Sequence, residues 1–363
     1  MNELSTKSPT DETERETEAL MQADENRAPF LIVGCPRTGT TLVAQILDSH
    51  SQLAVYLETQ FYPVFKSIAR YYGDLSRANN LRRFATDVLR QVQIQGVEPP
   101  DLDAFVASIR DRTFQGVFAA LIQNFAEAQG KVWGGEKTPT HCIHLEEIFN
   151  AFPDCKIIFL MRDPRDVVHS MQKRWDTRAE AGAAIWNQCF ESYDRFKDRL
   201  LLVQYESLVA RPNEEILRFC DFLGLDVEPG LFKHYENIPD HVRKRHPDMG
   251  LLDRAVSTSS VGKFAEMDPV SIGAIENICA RGMAAMGYEP VVPTNASPSP
   301  PLDSPVQNTG PGFFTHAFDR LRYYGLDRER WRRGAFRWKL QLWLPLRYWL
   351  TLGPIFNRSA NAQ

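Results

Sequence analysis

Short apolar runs alternate with longer stretches of helical periodicity along most of this chain. The runs at 30–33 and 156–161 are typical of parallel strands that are buried on both faces. Weaker strand patterns lie at 52–56, 131–135 and 201–205, and helical patterns at 60–96, 102–129, 141–151, 164–175, 182–199, 212–224 and 269–287. This alternation predicts an α/β fold in three layers, with a central parallel sheet flanked by helices and joined by right-handed crossovers.

The two ends of the chain differ from this alternating part. Residues 1–28 are polar and acidic and lack the apolar core of a signal peptide, so they are predicted to be disordered. One folded domain is predicted over 29–290. A Pro/Ser-rich stretch over 291–312 is typical of a linker, and 313–363 is predicted to be a separate basic, Trp-rich helical extension.

The net charge and the spacing of the cysteines argue against several kinds of partner and site. The formal net charge of −4 argues against a general nucleic-acid coat, so no nucleic-acid partner is expected. The cysteines form no C-x-x-C pair, and neither a zinc site nor a disulfide framework is predicted. This cysteine usage indicates a reduced, cytoplasmic setting.

Candidate chemistry begins directly after the first strand. Gly34 and Gly39 have the spacing of a phosphate-binding P-loop, but Thr40 stands at the lysine position and the nearest cation is Arg37. Backbone N–H groups of such a loop attract oxyanions, and Arg37, Thr40 and Thr41 add side-chain donors. The alternative is a strand-to-helix turn without a ligand. Without the lysine and a convincing acid for Mg²⁺, an ATP-dependent kinase is disfavoured and no metal is expected.

A second candidate anion site follows the run at 156–161. Arg162 leaves this strand, Asp163 can cap a helix, and Pro164 suits the first helical position. Ser170 and Arg174 are four residues apart and therefore share one helix face. Arg162, Ser170 and Arg174 could converge on a second phosphate, although an ordinary helix cap with solvated arginines explains the same residues.

Taken together, the two stretches resemble the sulfotransferases that use 3′-phosphoadenosine-5′-phosphosulfate (PAPS). That family has a P-[KR]-[ST]-G-T-T loop for the 5′-phosphosulfate and a downstream R-x-P-[KR]-D-x-x-x-S for the 3′-phosphate. This chain reads PRTGTT and RDPRDVVHS, in that order, each after an apolar strand. The resemblance covers about residues 30–290. It implies a P-loop-type fold, PAPS as co-substrate, its bisphosphate product PAP and no required metal.

The resemblance also implies which residues bind the donor. The loop residues Arg37, Thr38, Gly39, Thr40 and Thr41 would hold the 5′-phosphosulfate. Further positions match the branch that contains tyrosylprotein sulfotransferases and many bacterial relatives. In that branch the matching residues would be a general base, a conserved lysine and further donor-binding side chains, which here are Glu58, Lys137, Arg174, Tyr205 and Lys263.

In the reaction that this resemblance implies, the acceptor hydroxyl loses a proton as it attacks the sulfuryl group. Glu58 is the candidate general base, a role that typically gives about 10²–10⁴-fold in rate. Arg37 and Lys137 would meet charge on the sulfuryl group and the leaving phosphate. The alternatives are a surface carboxylate at Glu58 and a surface salt bridge between Lys137 and Glu136.

Two histidines offer a rival base. His141 and His144 lie three residues apart near GEKTP, and another branch of the family uses a histidine base. His141 is therefore the rival to Glu58, although a helix-start histidine explains either residue as well. Two histidines without a suitably placed cysteine or aspartate do not predict a zinc site.

The C-terminal segment suggests a membrane partner. Residues 313–363 hold ten Lys/Arg against three Asp/Glu and four of the seven tryptophans. Such a stretch suits an anionic membrane surface, which would place the enzyme peripherally on the inner face of the membrane. The alternatives are a tail that folds back onto the enzyme, a contact between two copies in a homodimer and a disordered tail.

The sequence therefore predicts a soluble PAPS-dependent sulfotransferase that acts on a hydroxyl. A carbohydrate or glycolipid is the first choice of acceptor because an interfacial tail would bring the site to lipid-linked substrates. A protein tyrosine is second, from the branch resemblance, and a small secondary metabolite is third. A scaffold that binds PAP or PAPS and docks to membranes without catalysis is the non-enzymatic alternative.

Overall fold

The apolar runs form the central strands of one five-stranded sheet. The computed structural model describes residues 27–94, 98–236, 238 and 255–292. Its strands are β1 (Phe30–Gly34), β2 (Leu53–Leu57), β3 (Trp133–Lys137), β4 (Ile157–Met161) and β5 (Leu201–Gln204). They run parallel in the order β2-β3-β1-β4-β5, which confirms the predicted α/β fold with a central parallel sheet.

Helices follow each strand in the described residues. They are α1 (Thr40–Asp48), α2 (Phe61–Phe65), α3 (Ala78–Ile94), α4 (Leu102–Ser108), α5 (Phe114–Ala128), α6 (Leu145–Ala151), α7 (Pro164–Trp175), α8 (Ala179–Phe196), α9 (Tyr205–Ala210), α10 (Pro212–Leu223), α11 (Pro229–Phe232) and α12 (Pro269–Met286). Short 3₁₀ turns at Ala69–Tyr72, Pro139–His144, Lys197–Arg199, Thr258–Ser260 and Lys263–Glu266 complete the set.

Two long predicted helices are wrong because local signals interrupt them. In 60–96, Gly73 at φ +77° breaks the chain between α2 and α3. In 102–129, Asp101 caps α4 through the amides of residues 103 and 104, and the Thr113 hydroxyl caps α5 through the Gly116 amide. Each cap starts a new helix, since its side chain satisfies amides that a continuous helix would bond internally.

The third strand lies two residues later than the predicted 131–135. Gly134 and Gly135 are its least strand-like residues by composition, but they are required by packing. A Cβ on Gly135 would stand 2.2 Å from the Phe30 ring, and one on Gly134 would stand 2.7 Å from the Ile122 side chain. The glycines therefore let β3 pack closely against its neighbours, and this places Lys137 at the strand's carboxyl end.

Alternate residues of the strands enter two apolar cores. Leu31, Val33 and Phe159 pack on one face of the sheet, with α5 and α8. Ile32 and Leu160 pack on the other face, with α1 and α10. Because both faces are covered and all strands are parallel, their carboxyl ends meet at one edge, where ligands of such sheets bind.

The ends of the chain fall largely outside this description. The predictions of a disordered 1–28 segment, a 291–312 linker and a 313–363 extension concern residues that the structure describes only at 27–28 and 291–292. Within the described ranges, no helix combines the length and apolar character that crossing a bilayer requires. All six cysteines are buried free thiols, and the Cys142 and Cys189 sulfur atoms lie 3.3 Å apart.

Candidate functional site

The loop between β1 and α1 has the geometry of an anion-binding turn. Arg37 has φ +75° and Gly39 has φ +91°, and Gly39 caps α1. A Cβ on Gly39 would stand 2.7 Å from the Tyr205 ring, so the predicted donor-binding Tyr205 packs directly against the loop. The first amides of α1 have no acceptor within the helix and are oriented to receive an oxyanion.

The loop threonines have different environments. The Thr38 hydroxyl is buried and donates to the Cys35 carbonyl at 2.7 Å, so this side chain stabilises the loop itself. Thr40 is buried at the start of α1, and Thr41 is partly exposed and accepts a hydrogen bond from Lys137. The structure therefore gives Thr38 an internal role and leaves the first turn of α1 for a ligand.

Three arginines meet above this loop. Arg37 Nε donates to the Ser170 hydroxyl at 3.0 Å, and Arg162 donates to the Arg37 carbonyl at 3.2 Å. The Arg37 side chain reaches solvent at one side, but the surrounding protein lowers the pKa of its guanidinium, and the charges of Arg174 and Arg162 lower it further. The structure thus brings together Arg37, Arg162, Ser170 and Arg174 in a region of excess positive charge.

Arg162 is the most enclosed of the three arginines. Its guanidinium donates to the Ser260 carbonyl, lies 3.4 Å from an Asp166 oxygen and covers the Tyr205 ring at 4.6 Å. Its side chain is 7% exposed, and among the described residues no acceptor pairs with its buried Nε. A buried charged donor without an acceptor is costly, and a bound oxyanion would satisfy it.

The predicted base and the predicted lysine form a pair at the ends of β2 and β3. Lys137 Nζ lies 2.7 Å from Glu58 Oε1 and 3.1 Å from the Thr41 hydroxyl. The Lys137 side chain is fully buried and that of Glu58 is 28% exposed. Lys137 thus connects Glu58 to the first turn of α1, and the alternative of a surface salt bridge with Glu136 is wrong.

The rival base His141 lies elsewhere. It is fully buried, its Nε2 accepts a hydrogen bond from the Tyr62 amide at 3.4 Å, and its Nδ1 lies 2.9 Å from Glu136 Oε2. His144 stacks on the Tyr62 ring, and burial lowers the pKa of its imidazole. His141 therefore contacts Glu136 and Tyr62, and its ring is closed to solvent.

The predicted donor-binding Lys263 lies in a strap formed by residues 255–267. The Gly262 and Phe264 amides donate to the Asp166 carboxylate at 2.8 and 2.9 Å, which fixes the strap against α7. Lys263 itself is half exposed and lies 3.5 Å from Glu266. The structure brings the strap to the arginine cluster through Ser260 and leaves the Lys263 ammonium paired with Glu266.

Sequence reasoning missed the residues that support these groups. Asp166 anchors the strap, and Glu136 lies beneath Glu58 with three hydrogen bonds to one carboxylate oxygen. Asp166 follows Arg165 inside the quoted RDPRD stretch, but its partners lie about a hundred residues away along the chain. In the described part of the chain, no three His, Cys, Asp or Glu side chains gather as metal ligands, and the metal-free reaction stays a prediction.

The arrangement has three parts with distinct chemical abilities. The start of α1 and the loop can receive one oxyanion, and the arginines beside Ser170 can receive a second. Glu58 places a carboxylate beside the first of these sites, next to a buried ammonium. Two anion sites and one positioned carboxylate suit transfer of an anionic group from a doubly anionic donor to a group that must lose a proton.

Known proteins resemble this chain in sequence and in fold. The model of the family described as "Sulfotransferase family" matches residues 29–229. The protein-tyrosine sulfotransferase of Drosophila melanogaster is 23% identical over 277 residues, covering 72% of this chain and 52% of that protein. Protein-tyrosine sulfotransferase 1 of Danio rerio is 24% identical over 276 residues, covering 72% of each chain. The solved sulfotransferase domain from the curacin biosynthetic pathway shares the fold, with a TM-score of 0.50 at 20% identity over 73% of this chain and 99% of that domain.

Proposed function

Since the chain belongs to the sulfotransferase family and is therefore a PAPS-dependent sulfotransferase, we propose that Glu58 is its general base and that Arg37, Lys137, Arg162 and Arg174 bind the donor. The observation that carries this proposal is the convergence of the arginine cluster with the Glu58–Lys137 pair at one edge of the sheet. Burial lowers the pKa of the Arg37 guanidinium, the charges of Arg174 and Arg162 lower it further and the charge of Glu58 raises it, which supports a site shared by these groups.

The residues present fit the donor. Its two separate anionic groups require two sites, and the loop with α1 and the Arg162–Ser170 region supply them. The buried Nε of Arg162, which pairs with no acceptor among the described residues, suits a phosphate oxygen. Gly39 has no side chain, and this lets the Tyr205 ring pack directly against the loop, where a Cβ would stand 2.7 Å from it. When bound, PAPS supplies the sulfuryl group and leaves as PAP.

The protein's part in the reaction follows from the contacts. Glu58 Oε1 accepts a hydrogen bond from Lys137, and the carboxylate is partly exposed at the site, where it takes the proton of the acceptor hydroxyl. Lys137 also donates to Thr41 at the start of α1, so its ammonium adds positive charge where the leaving phosphate gains negative charge. Arg37 and Arg162 orient the donor through its two anionic groups.

For the acceptor, the proposal commits to the phenolic hydroxyl of a protein tyrosine. The relatives named as protein-tyrosine sulfotransferases support this choice. A chemical argument supports it too, because a phenol with a pKa of about 10 gives its proton to a carboxylate far more readily than an aliphatic alcohol does. The sequence-based preference for a carbohydrate or glycolipid depended on 313–363, which the structure does not describe.

The decisive experiment compares Glu58→Gln with the wild type. The substitution keeps the shape of the side chain and removes the basic carboxylate, so transfer of ³⁵S from labelled PAPS should fall by about 10²-fold or more. PAP affinity, measured by calorimetry, should stay within about threefold, since PAP contacts are made by the arginines. Glu147→Gln, which alters the carboxylate of a surface pair with Lys66, is the matched control and should change neither quantity. Wild-type turnover in Glu58→Gln would remove the base assignment.

The acceptor class is tested with the same label. Wild-type enzyme is offered a tyrosine-bearing peptide, its phenylalanine counterpart and the glycan and lipid fractions of a cell extract. We expect label on the tyrosine peptide and none on the phenylalanine peptide. Label that appears only in the glycan or lipid fraction would replace tyrosine by the second candidate.

The second candidate is a carbohydrate or glycolipid acceptor at a membrane surface. It is favoured by the ten basic residues and four tryptophans of 313–363, which would hold the enzyme at the inner face of the membrane. A chain that ends at Gly312 should then lose co-sedimentation with anionic vesicles while it keeps PAP binding. Full-length protein that stays in the supernatant with such vesicles would remove this candidate.

A further inference from the structure

The turn that carries Glu58 has an unfavourable backbone. Glu58 has φ +53° and Gln60 has φ +56°, in the left-handed region that side chains other than glycine rarely adopt. Such residues persist only where the surrounding structure holds them, and they cluster at functional sites. The contacts that hold residues 58–60 therefore decide where the Glu58 carboxylate points.

A buried acid on the neighbouring strand supplies these contacts. Glu136 is fully buried, and its Oε1 accepts hydrogen bonds from the Thr59 amide at 3.0 Å, from the Thr59 hydroxyl at 2.8 Å and from the Thr138 hydroxyl. The Thr59 hydroxyl also accepts from the Phe61 amide at 3.3 Å, and the Thr138 hydroxyl accepts from the Gln60 amide at 3.3 Å. One carboxylate thus organises the amides of Thr59, Gln60 and Phe61, the first directly and the other two through the threonine hydroxyls.

Lys137, the residue after Glu136 on β3, contacts the same turn from the opposite face of the strand. The Glu58 amide donates to the Lys137 carbonyl at 2.6 Å, and Lys137 Nζ reaches Glu58 Oε1. Successive residues of β3 point to opposite faces, so Lys137 faces the phosphate loop and Glu136 lies beneath Thr59. The strand end holds the turn from two sides.

His141 shields the second oxygen of this acid. Its Nδ1 lies 2.9 Å from Glu136 Oε2, without the alignment of a hydrogen bond, and its Nε2 accepts from the Tyr62 amide. Acceptance at Nε2 places the ring proton on Nδ1, the ring nitrogen that lies nearest this carboxylate. In the described residues no lysine or arginine pairs with Glu136, so the charge of this acid is directed onto the hydroxyls and the amide of the turn. Hydrogen bonds to an ionised acceptor are about twice as strong as neutral ones.

We infer that Glu136 is a positioning residue for the general base, acting through the Thr59 hydroxyl to hold the 58–60 turn in its catalytic conformation. This inference rests on the proposed role of Glu58. Loss of the Thr59 hydroxyl leaves the arginines of the donor site in place, since Arg37, Arg162 and Arg174 belong to other elements. The turn can then relax toward ordinary backbone angles and move the Glu58 carboxylate, and a displacement of about 1 Å can cost about 10²-fold in rate.

The test uses a matched pair at one position in the full-length chain. Thr59→Val keeps the shape and removes the hydroxyl, and Thr59→Ser keeps the hydroxyl and removes a methyl group. Transfer of ³⁵S from PAPS is measured on the fraction that takes most label from the wild type, and active sites are counted by PAP binding. We expect kcat per PAP-binding site to fall by about 10–100-fold in Thr59→Val, with rescue to within about threefold in Thr59→Ser. The KM for PAPS should be unchanged in both variants.

A double-mutant cycle separates positioning from stability. If Glu136 acts through Glu58, Thr59→Val should cost little more in a Glu58→Gln background, because the base it positions is already lost. Equal losses in Thr59→Val and Thr59→Ser would overturn the inference, as would a loss explained by fewer PAP-binding sites.

The cycle also distinguishes the two proposals. Wild-type turnover in Glu58→Gln would mean that the base assignment is wrong. Normal turnover in Thr59→Val, together with an inactive Glu58→Gln, would mean that only the positioning role is wrong. Glu136→Gln provides a second measurement, because its amide oxygen can accept from Thr59 while its NH₂ opposes the proton on His141 Nδ1. It should lose turnover as Thr59→Val does.

Discussion

Two arginines three residues apart, Arg162 and Arg165, have opposite surroundings. Arg165 donates to both Asp163 oxygens at 2.9 and 2.7 Å, to Glu276 at 2.7 Å and to the Glu289 carbonyl at 2.9 Å. The Arg162 guanidinium lies 3.4 Å from one Asp166 oxygen and donates to the Arg37 and Ser260 carbonyls. Its buried Nε has no acceptor among the described residues. Both side chains are almost fully buried, at 5% and 7% exposed.

The difference separates an arginine whose charge the protein neutralises from one whose charge it leaves partly uncompensated. Burial alone would lower the pKa of Arg165, but the bonds to Asp163 and Glu276 more than offset it and the pKa is raised. Around Arg37, by contrast, burial and two further arginines lower the pKa of the guanidinium. Positive charge that the protein leaves uncompensated is available to an anion, whereas compensated charge fixes α7 against α12.

The largest effect is expected when the buried ion pairs of Arg165 are removed. Arg165→Met leaves Asp163 and Glu276 buried without their cation, and removing one partner of a buried pair costs about 3–5 kcal/mol of unfolding free energy. Urea denaturation measures the loss. The double variant Arg165→Met/Glu276→Gln should recover part of it, because one orphaned charge is removed. A change under about 1 kcal/mol would show that Arg165 is not the structural partner proposed here.

Substitution of Arg162, whose charge is uncompensated, should change the affinity for PAP. Arg162→Ala removes a charge-assisted contact of about 1.5–3 kcal/mol, so PAP affinity should fall tenfold or more while 5′-AMP affinity changes little. Calorimetry with both nucleotides measures the difference, and Arg162→Lys, which keeps the charge without the planar fork, should fall between the two. Equal binding of AMP and PAP by the wild type would contradict the second anion site.

A buried polar atom without a partner can also belong to an uncharged group, and the imidazole of His234 is such a case. Its Nε2 is buried and pairs with no group of the described residues, and burial lowers the pKa of the ring. A lowered histidine pKa gives stability that is present above the unfolded value of about 6.5 and is lost as the pH falls below it.

The unfolding free energy should therefore decrease between pH 7.5 and 5.5, with His234 contributing up to about 1.4 kcal/mol per pH unit below 6.5. His234→Asn can keep the hydrogen bond that Nδ1 makes to the Leu231 carbonyl without titrating. Urea midpoints at the two pH values should differ less in this variant than in the wild type. An identical slope in both proteins would show that His234 charges freely in the fold.

The smallest effect is expected at Lys263. Its half-exposed ammonium pairs with Glu266 at 3.5 Å, and such pairs contribute about 0–1 kcal/mol. Lys263→Ala should weaken PAP binding by about threefold, because a contact to the donor would replace the one to Glu266. A tenfold loss, matching that of Arg162→Ala, would show that Lys263 is a principal donor-binding residue, as the family resemblance implies.

The sequence predicted best where local pattern and structure coincide. Continuous apolar runs gave β1 and β4, and glycine spacing with a threonine pair gave the turn into α1. It failed over 60–96, where the helical period continues through Gly73 although the backbone does not. The predicted bounds of β3 were also two residues too early. Gly134 and Gly135 weaken the strand pattern of the sequence, yet the Ile122 side chain and the Phe30 ring leave no room for a Cβ at these positions.

Glu58 and Lys137 could be predicted as two candidate residues but not as a contact. The register of β2 against β3 sets Leu57 opposite Lys137, and this places Glu58 beside the lysine although they are 79 residues apart along the chain. His141 shows the reverse case. Its position near GEKTP suggested a base, and the packing of α2 and β3 encloses it instead.

The sequence by itself determined the strand-to-helix turn, the order of the two candidate anion-binding motifs and the residue types of the candidate site. These depend on backbone geometry over a few residues, where spacing along the chain fixes spacing in space. Only the tertiary structure decided which of two neighbouring arginines is compensated and which acid accepts the hydrogen bonds of Thr59. Those outcomes depend on strand order and helix packing, which bring together residues from 77 to 111 positions apart.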